Sequence, residues 1–287
     1  MPSFGARMML PALLLLAALS IFPFLFIVWM SFNEVSPIGG LSFEFVGLEN
    51  WTNLFTDPDV RSSWITSGIY FVGTVGLEMT LGIAIALLVH EIVWGKNLAI
   101  SLLLMPMFIA PVIVGLLGRF MVNPTYGLYA WVLDVTGLFT GNILGSKGSA
   151  LVAVILMDVW EWTPLITLIV LAGLASMPEE ILEAAKVDGA NYWQRLRHMV
   201  LPFVTGVIIV ALLIRSMDAI RYFDIIFITT GGGPADATKI IPIRLYETAF
   251  RFFELGYAAA IGLGMLAFSI LIANLFLRIL ARQGLAK

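Results

Sequence analysis

Apolar and polar positions along the chain divide it into long greasy runs joined by short polar connections. Residues 8–32 carry no charge. That run exceeds the roughly 20 apolar residues a helix needs to cross a hydrocarbon core about 30 Å thick. Further runs cover 64–89, broken only by Glu78; 98–122, with Pro106, Pro111 and Arg119; and 149–174, carrying Asp158, Glu161 and Pro164. The last two are 201–222 and the charge-free 255–277. Long continuous runs, rather than short alternating ones, favour helices over barrel strands. The pattern therefore predicts an all-α polytopic membrane protein, one domain of residues 1–287 with six transmembrane helices. The first run is too long for a signal-peptide core and has no small-residue cleavage site placed to release it, so it reads as a retained anchor. Pro23, Pro106, Pro111 and Pro164 are expected to interrupt helices, and the 26 glycines suit helices that pack closely and rearrange.

Composition narrows the function. Hydrophobic residues make up 60 % of the chain, charged residues 12 %, and mean hydropathy is +0.97. So few charges cannot cover a water-facing surface of this size, which excludes a soluble enzyme and a disordered chain. Sixteen Lys and Arg against nineteen Asp and Glu supply no basic field for nucleic acid. With no cysteine there are no disulfides, thiolate metal sites or cysteine catalysis. His90 and His198 each lack a second ligand nearby in sequence, so no metal site is proposed. Arg278, Arg282 and Lys287 stand in the tail without an acid, whereas the loop 34–61 holds five acids and one base. The basic tail reads as cytoplasmic and the acidic loop as external, so six spans place both termini in the cytoplasm of a multi-pass (inner) membrane protein.

The connection 176–200 is more than a loop. Ser176 with Glu179 three residues on has the form of a capping box, and Pro178 suits a first turn. Acids crowd that turn, as the helix dipole prefers, and Gly189 is a natural stop. Asn191 with Gln194 repeats the start signal. Trp193, Leu196, Met199 and Val200 form an apolar stripe, with Arg195, Arg197 and His198 off it. Two short capped helices at a sharp bend either lie on lipid or protrude to meet a soluble partner.

These residues carry a family resemblance. Glu183-Ala184-Ala185, three residues, Gly189, nine residues, Met199, one residue, then Leu201-Pro202 resembles the EAA motif of ABC importer membrane subunits, with Met199 where Ile is usual. Thr230-Gly231-Gly232-Gly233-Pro234 with Thr238 resembles the TGGGP segment of the sugar-uptake branch. Tyr246, Phe250 and Gly256-Tyr257-Ala258-Ala259-Ala260 continue the match, and Phe45-Val46-Gly47-Leu48-Glu49-Asn50-Trp51 resembles its FVGLxNF signature. The chain is thus similar to the maltose-type and glycerol-phosphate-type permeases over nearly its whole length. That resemblance implies half of a translocation pathway for a sugar or polyol, with alternating access driven from outside the chain. It implies a second homologous permease, two ATPase subunits or a homodimer of one, and an extracytoplasmic binding protein. It also implies a coupling helix on which Glu183, Ala184, Ala185, Asp188 and Gly189 dock the ATPase. ATP and Mg would sit on those ATPases, and this chain would bind no cofactor and catalyse nothing.

Candidate pathway residues follow from the spans. Asp158 and Glu161 share a helix face and lie about 14–18 Å deep if the helix enters at Ser149. Trp160 and Trp162 flank them. Carboxylates accept bonds from sugar hydroxyls and rings stack on pyranose faces; the other reading is a purely structural ion pair with Arg215. Arg215, Asp218 and Arg221 recur at helical spacing and are expected to form an internal ladder. Glu78 has no visible partner. A proton- or sodium-coupled transporter using Glu78, Asp158 and Glu161 is the competing class, disfavoured by the lack of an internal repeat. Gly231, Gly232, Gly233 and Pro234 lack the Gly-Lys-Ser/Thr ending of a phosphate loop. They read as an irregular external turn or, by the resemblance, as a surface for the binding protein.

Overall fold

A computed structural model describes residues 4–37 and 39–282 of the chain; Lys287, counted in the basic tail, lies outside them. About three quarters of the described residues are helical: α1 (Phe4–Met30), α2 (Glu49–Thr56), α3 (Pro58–Glu91), α4 (Lys96–Leu104), α5 (Pro111–Met121), α6 (Leu128–Val135) and α7 (Lys147–Ala175). They continue as α8 (Glu179–Val187), α9 (Tyr192–Arg195), α10 (Leu201–Ala219), α11 (Asp224–Thr229), α12 (Ile241–Phe250) and α13 (Leu255–Arg282). One hairpin, β1 (Asn33–Ser36) against β2 (Ser42–Phe45), pairs Asn33 with Phe45 and Ser36 with Ser42. Helices α1, α3, α7, α10 and α13 are long and apolar enough to cross a membrane, and α5 is a shorter apolar helix. The fold is that of an all-α polytopic membrane protein.

Proline acts unevenly. Pro106 and Pro111 divide the third apolar run into α4, a single tight turn Pro106–Phe108, and α5, as their missing N–H groups dictate. Pro23 and Pro164 break nothing; each lies inside a continuous helix. Helix α9 runs through a widened turn, Leu196–Val200, straight into α10, with the Leu201 N–H bonding the Leu196 carbonyl. Pro202 supplies no N–H to the regular ladder, and the wider turn accommodates it. The fifth span therefore begins at the bend rather than at Leu201.

The chain packs as two compact units. One joins residues up to 64 with 241–268. Here the Phe45–Trp51 signature has a structural task. Asn50 Nδ2 donates to the carbonyls of Ser31 at 3.1 Å and Asn33 at 3.0 Å, and Trp51 Nε1 donates to Ser31 Oγ at 3.2 Å. These bonds hold the chain where it leaves α1. Gly256 belongs to the small-residue run of α13 because a Cβ there would collide with the Asn33 carbonyl oxygen. Leu54, Val60, Ile241 and Ile261 form the apolar core of this unit. Buried Arg244 on α12 donates from Nε to Ser63 Oγ at 3.3 Å and pairs with Asp59 at 3.4 Å.

The other unit comprises 65–240 and the residues from 269. Its core is a seam of α3, α7 and α10 built from Val75, Met79, Ala86, Ile166, Val170, Leu174, Val204 and Ala211. A Cβ on Gly82 would lie 2.7 Å from Ile166 Cβ, and one on Gly173 3.1 Å from Val207. Glycine is what lets these backbones approach.

Candidate functional site

Three helices of this second unit send charged side chains to one point. Along α3 the polar positions Tyr70, Thr74 and Glu78 recur every four residues and so share a face, all of them buried. Asp158, Glu161 and Trp162 share a face of α7 by the same spacing. On α10, Arg215 and Asp218 are three apart. Arg215 Nε donates to Glu78 Oε2 at 2.6 Å and Nη2 to Glu78 Oε1 at 2.9 Å, a two-point contact. Nη2 also donates to Asp158 Oδ2, and Nη1 to Asp218 Oδ2 at 2.8 Å. Arg215, Glu78 and Asp158 have no exposed side-chain surface. The guanidinium carbon lies 5.5 Å from the Trp162 ring centre and 5.6 Å from that of Tyr222, within cation–π range. Tyr222 donates its hydroxyl to Glu161 Oε2 at 2.9 Å, and its ring stacks with that of Tyr70 at 6.3 Å.

The knot leaves polar atoms over. Tyr70 Oη, Asp158 Oδ1, Glu161 Oε1 and Trp162 Nε1 are buried without a well-formed hydrogen bond among the described residues, Tyr70 lying beside Asp158 and Trp162 beside Tyr222. An unpaired buried polar group costs about 1–3 kcal/mol. Two potential donors and two acceptors left together suit a hydroxylated ligand or water, which offers both kinds of partner.

The structure thus unites Asp158, Glu161 and Trp162, and adds Glu78, Tyr70 and Tyr222. The ion pair of Asp158 with Arg215 is present, and Glu78, which had no visible partner in sequence, is the two-point holder of the same arginine. Trp160 stands apart. It is 51 % exposed and lines an apolar groove between α5, α6 and α7 with Val114, Leu117, Tyr129 and Leu156. Trp160 is two residues from Asp158, about 200° around the helix, and so points away from the face that Asp158 shares with Glu161 and Trp162. Arg221 is absent from the expected ladder; its Nε bonds the Met217 carbonyl at 3.2 Å.

At the bend, Ser176 does not cap α8. Its hydroxyl bonds the Gly173 carbonyl at 2.7 Å, at the end of α7, and Pro178 takes the N-cap position without a side-chain bond. The Asn191–Gln194 capping box is formed in both directions, at 2.9 and 2.8 Å. Gly189 has φ +81°, the left-handed conformation that turns the chain, and Arg195 Nη1 braces the turn from the Ala190 carbonyl at 2.7 Å. Glu183, Ala184, Asp188 and Gly189 are exposed. Ala185 is 1 % exposed and turned inward, so it packs the bend instead of lining its outer surface. A shallow pocket of about 370 Å³ opens beside Asp188, Gly189, Gln194 and His198.

The glycine turn is clamped by its two threonines. Thr230 Oγ1 and Thr238 Oγ1 are 2.6 Å apart, Thr238 Oγ1 donates to the Gly233 carbonyl at 2.7 Å, and the Gly232 N–H reaches Thr230 Oγ1 at 3.3 Å. Gly232 is buried, and Gly231, Gly233 and Pro234 are half-buried. The outward tip is Ala235-Asp236, both at positive φ. Nothing in the residue types marked that tip; the Thr230–Thr238 pair was the available signal.

A bundle of apolar helices around a buried charge knot, with an exposed capped bend between two of its spans, defines a membrane-embedded transport subunit. The chain belongs to the family of binding-protein-dependent transport system inner membrane components, whose model matches residues 78–283. It is therefore a multi-pass inner membrane permease component. It is similar to the trehalose/maltose transport system permease protein MalF of Thermococcus litoralis, 35 % identical over 272 residues, 94 % of this chain and 90 % of that one. It is similar also to the sulfoquinovosyl glycerol transport system permease protein SmoG of Agrobacterium fabrum, 34 % identical over 274 residues, covering 94 % and 88 %. Among solved structures, a bacterial ABC transporter involved in import of the acidic polysaccharide alginate shares the fold. Its TM-score is 0.84 at 21 % identity, over 96 % of this chain and 94 % of that one.

Proposed function

We propose that this chain is the permease subunit of an ATP-driven, binding-protein-dependent sugar importer and contributes half of the translocation pathway. The observation that carries the reading is the similarity, along 94 % of the chain, to a trehalose/maltose permease. The exposed bend and the partly unpaired polar cluster add physical support. In this reading Asp158, Glu161 and Trp162 meet the sugar: carboxylate oxygens accept hydroxyl hydrogen bonds and the indole ring covers an apolar sugar face. A second, homologous permease supplies the other half of the path. Two ATPase subunits hold ATP and Mg and do the hydrolysis. The extracytoplasmic binding protein delivers its cargo near the Ala235-Asp236 tip and the glycine turn. Both termini are cytoplasmic, which puts the bend on the ATPase side.

The bend then transmits force. Glu183 offers a carboxylate to a basic cleft, Ala184 permits close approach, and Gly189 holds the turn. Closure of the ATPases on ATP shifts α8 and, through the continuous helix from Tyr192 into α10, moves the element that carries Arg215. Affinity purification of the chain from its native membrane in mild detergent tests this. Recovery of an ATPase and a second permease is expected. Glu183→Lys is expected to insert normally but to lose the ATPase or to hydrolyse ATP without uptake. Full uptake by that variant rejects the docking assignment, and a chain recovered alone across several detergents rejects the importer.

A further inference from the structure

The buried knot brings four carboxyl groups, Glu78, Asp158, Glu161 and Asp218, around a single guanidinium. All three nitrogens of that guanidinium already donate to carboxylates, and two aromatic rings lie within cation–π distance of it. Four of its five N–H groups are thus taken, and Arg215 has a single Nη1 N–H left and a charge already answered by carboxylates. A phosphate, sulfonate or carboxylate entering beside Asp158 and Glu161 meets carboxylate acceptors and a guanidinium already ion-paired with three acids, and like charges brought together suppress such a partner strongly. An uncharged polyol meets matched partners. Its hydroxyls can donate to Asp158 Oδ1 and Glu161 Oε1 and accept from Tyr70 Oη, on a residue 1 % exposed, and from Trp162 Nε1.

We infer that the Glu78–Arg215–Asp158 knot is a specificity device that admits uncharged sugars and polyols and rejects anionic ones. Glu78 is its specificity-determining residue. By taking Nε and Nη2 in a two-point contact it withholds the arginine from the ligand, and it adds a negative charge behind Asp158. Rejection of the wrong cargo by an uncompensated charge is a common route to selectivity. The inference rests on the reading that this cluster lines the pathway, and the test separates the two.

The chain contains no cysteine, so Trp162→Cys gives it a single thiol beside the guanidinium. The intact complex, in lipid nanodiscs, is treated with a cationic and an anionic methanethiosulfonate of similar size. Modification of this chain is followed by mass spectrometry, and each rate is divided by that for free mercaptoethanol. The cationic reagent is expected to be favoured by about tenfold or more, as an uncompensated negative site dictates. Adding Glu78→Gln, or Asp218→Asn should the first variant fail to assemble, is expected to bring the ratio at least about threefold closer to one. Asp134→Asn, an exposed acid on α6, should leave it unchanged. A ratio near one, or one indifferent to both knot variants, overturns the specificity assignment while leaving the pathway reading standing. If neither reagent reaches the thiol in the nucleotide-free or the ATP-trapped complex, the pathway reading fails and this inference falls with it.

Discussion

Arg215 is the side chain on which most of the buried polar structure depends. A charge pair removed from water stabilises little in net, but removal of one partner leaves the others buried and uncompensated at a cost of about 3–5 kcal/mol. Arg215→Ala should lower stability by that amount, read as thermal unfolding of the purified complex. Arg215→Lys should recover little of it, because one ammonium cannot reproduce a planar fork serving Glu78, Asp158 and Asp218 together. Glu78→Ala combined with Arg215→Ala should cost less than the two changes added, since each single change strands the other's charge; strict additivity would mean that the pair does not interact. Part of this was readable in advance. Helical spacing put Asp158 with Glu161, and a structural ion pair with Arg215 was the alternative reading of those two acids. Glu78 was opaque because its partner lies 137 residues further along the chain, and spacing within one helix says nothing of what faces it. Trp160 misled for the opposite reason, since closeness in sequence is not closeness on a helix.

Between elements, glycine sets the distance of approach. Gly82 on α3 sits where an added Cβ would lie 2.7 Å from both Cβ and Cγ2 of Ile166 on α7, neither of which is the free end of a flexible chain. Gly82→Ala should therefore push the two helices apart and cost about 1–3 kcal/mol. Gly68→Ala and Gly76→Ala on the same helix meet nothing within 4 Å and should be neutral or gain about 0.5–1 kcal/mol from reduced chain freedom. Melting curves of the three variants check the contrast; equal behaviour would show that α3 and α7 are not held at this separation. At this scale the break at Pro106 and Pro111 and the Asn191 cap were legible, since both are local chemistry. Pro164, like Pro23, looked like a further break and is not. A long helix packed on neighbours tolerates one missing hydrogen bond, and its neighbours cannot be read from the proline itself. Ser176 failed as a cap for a similar reason: its hydroxyl had a competing carbonyl at Gly173, which the capping pattern does not display.

For the molecule as a whole, the long spans were legible because lipid imposes a length and a polarity that few other environments demand. The β1–β2 hairpin and the buried helix α12 were not, since short elements in a polar connection carry no such constraint. The basic tail residues Arg278 and Arg282 and the acidic loop before α3 predict sidedness by the bias of positive charge toward the cytoplasm, and that expectation can be tested in the natural cysteine-free background. Val187 at the end of α8 is 88 % exposed, and Ala235 is at the exposed tip of the glycine turn. Between them the chain runs through the bend and then through α10, one apolar helix, so the two positions must lie on opposite faces of the membrane if α10 crosses it. Ala235→Cys should react with an impermeant maleimide added outside intact spheroplasts, and Val187→Cys only after the membrane is opened. The reverse pattern would put the bend outside, away from any cytoplasmic ATPase, and would remove the physical basis for coupling through Glu183. Labelling of both from one side would show that α10 does not cross, and the helix that carries Arg215 would then have no place in a pathway.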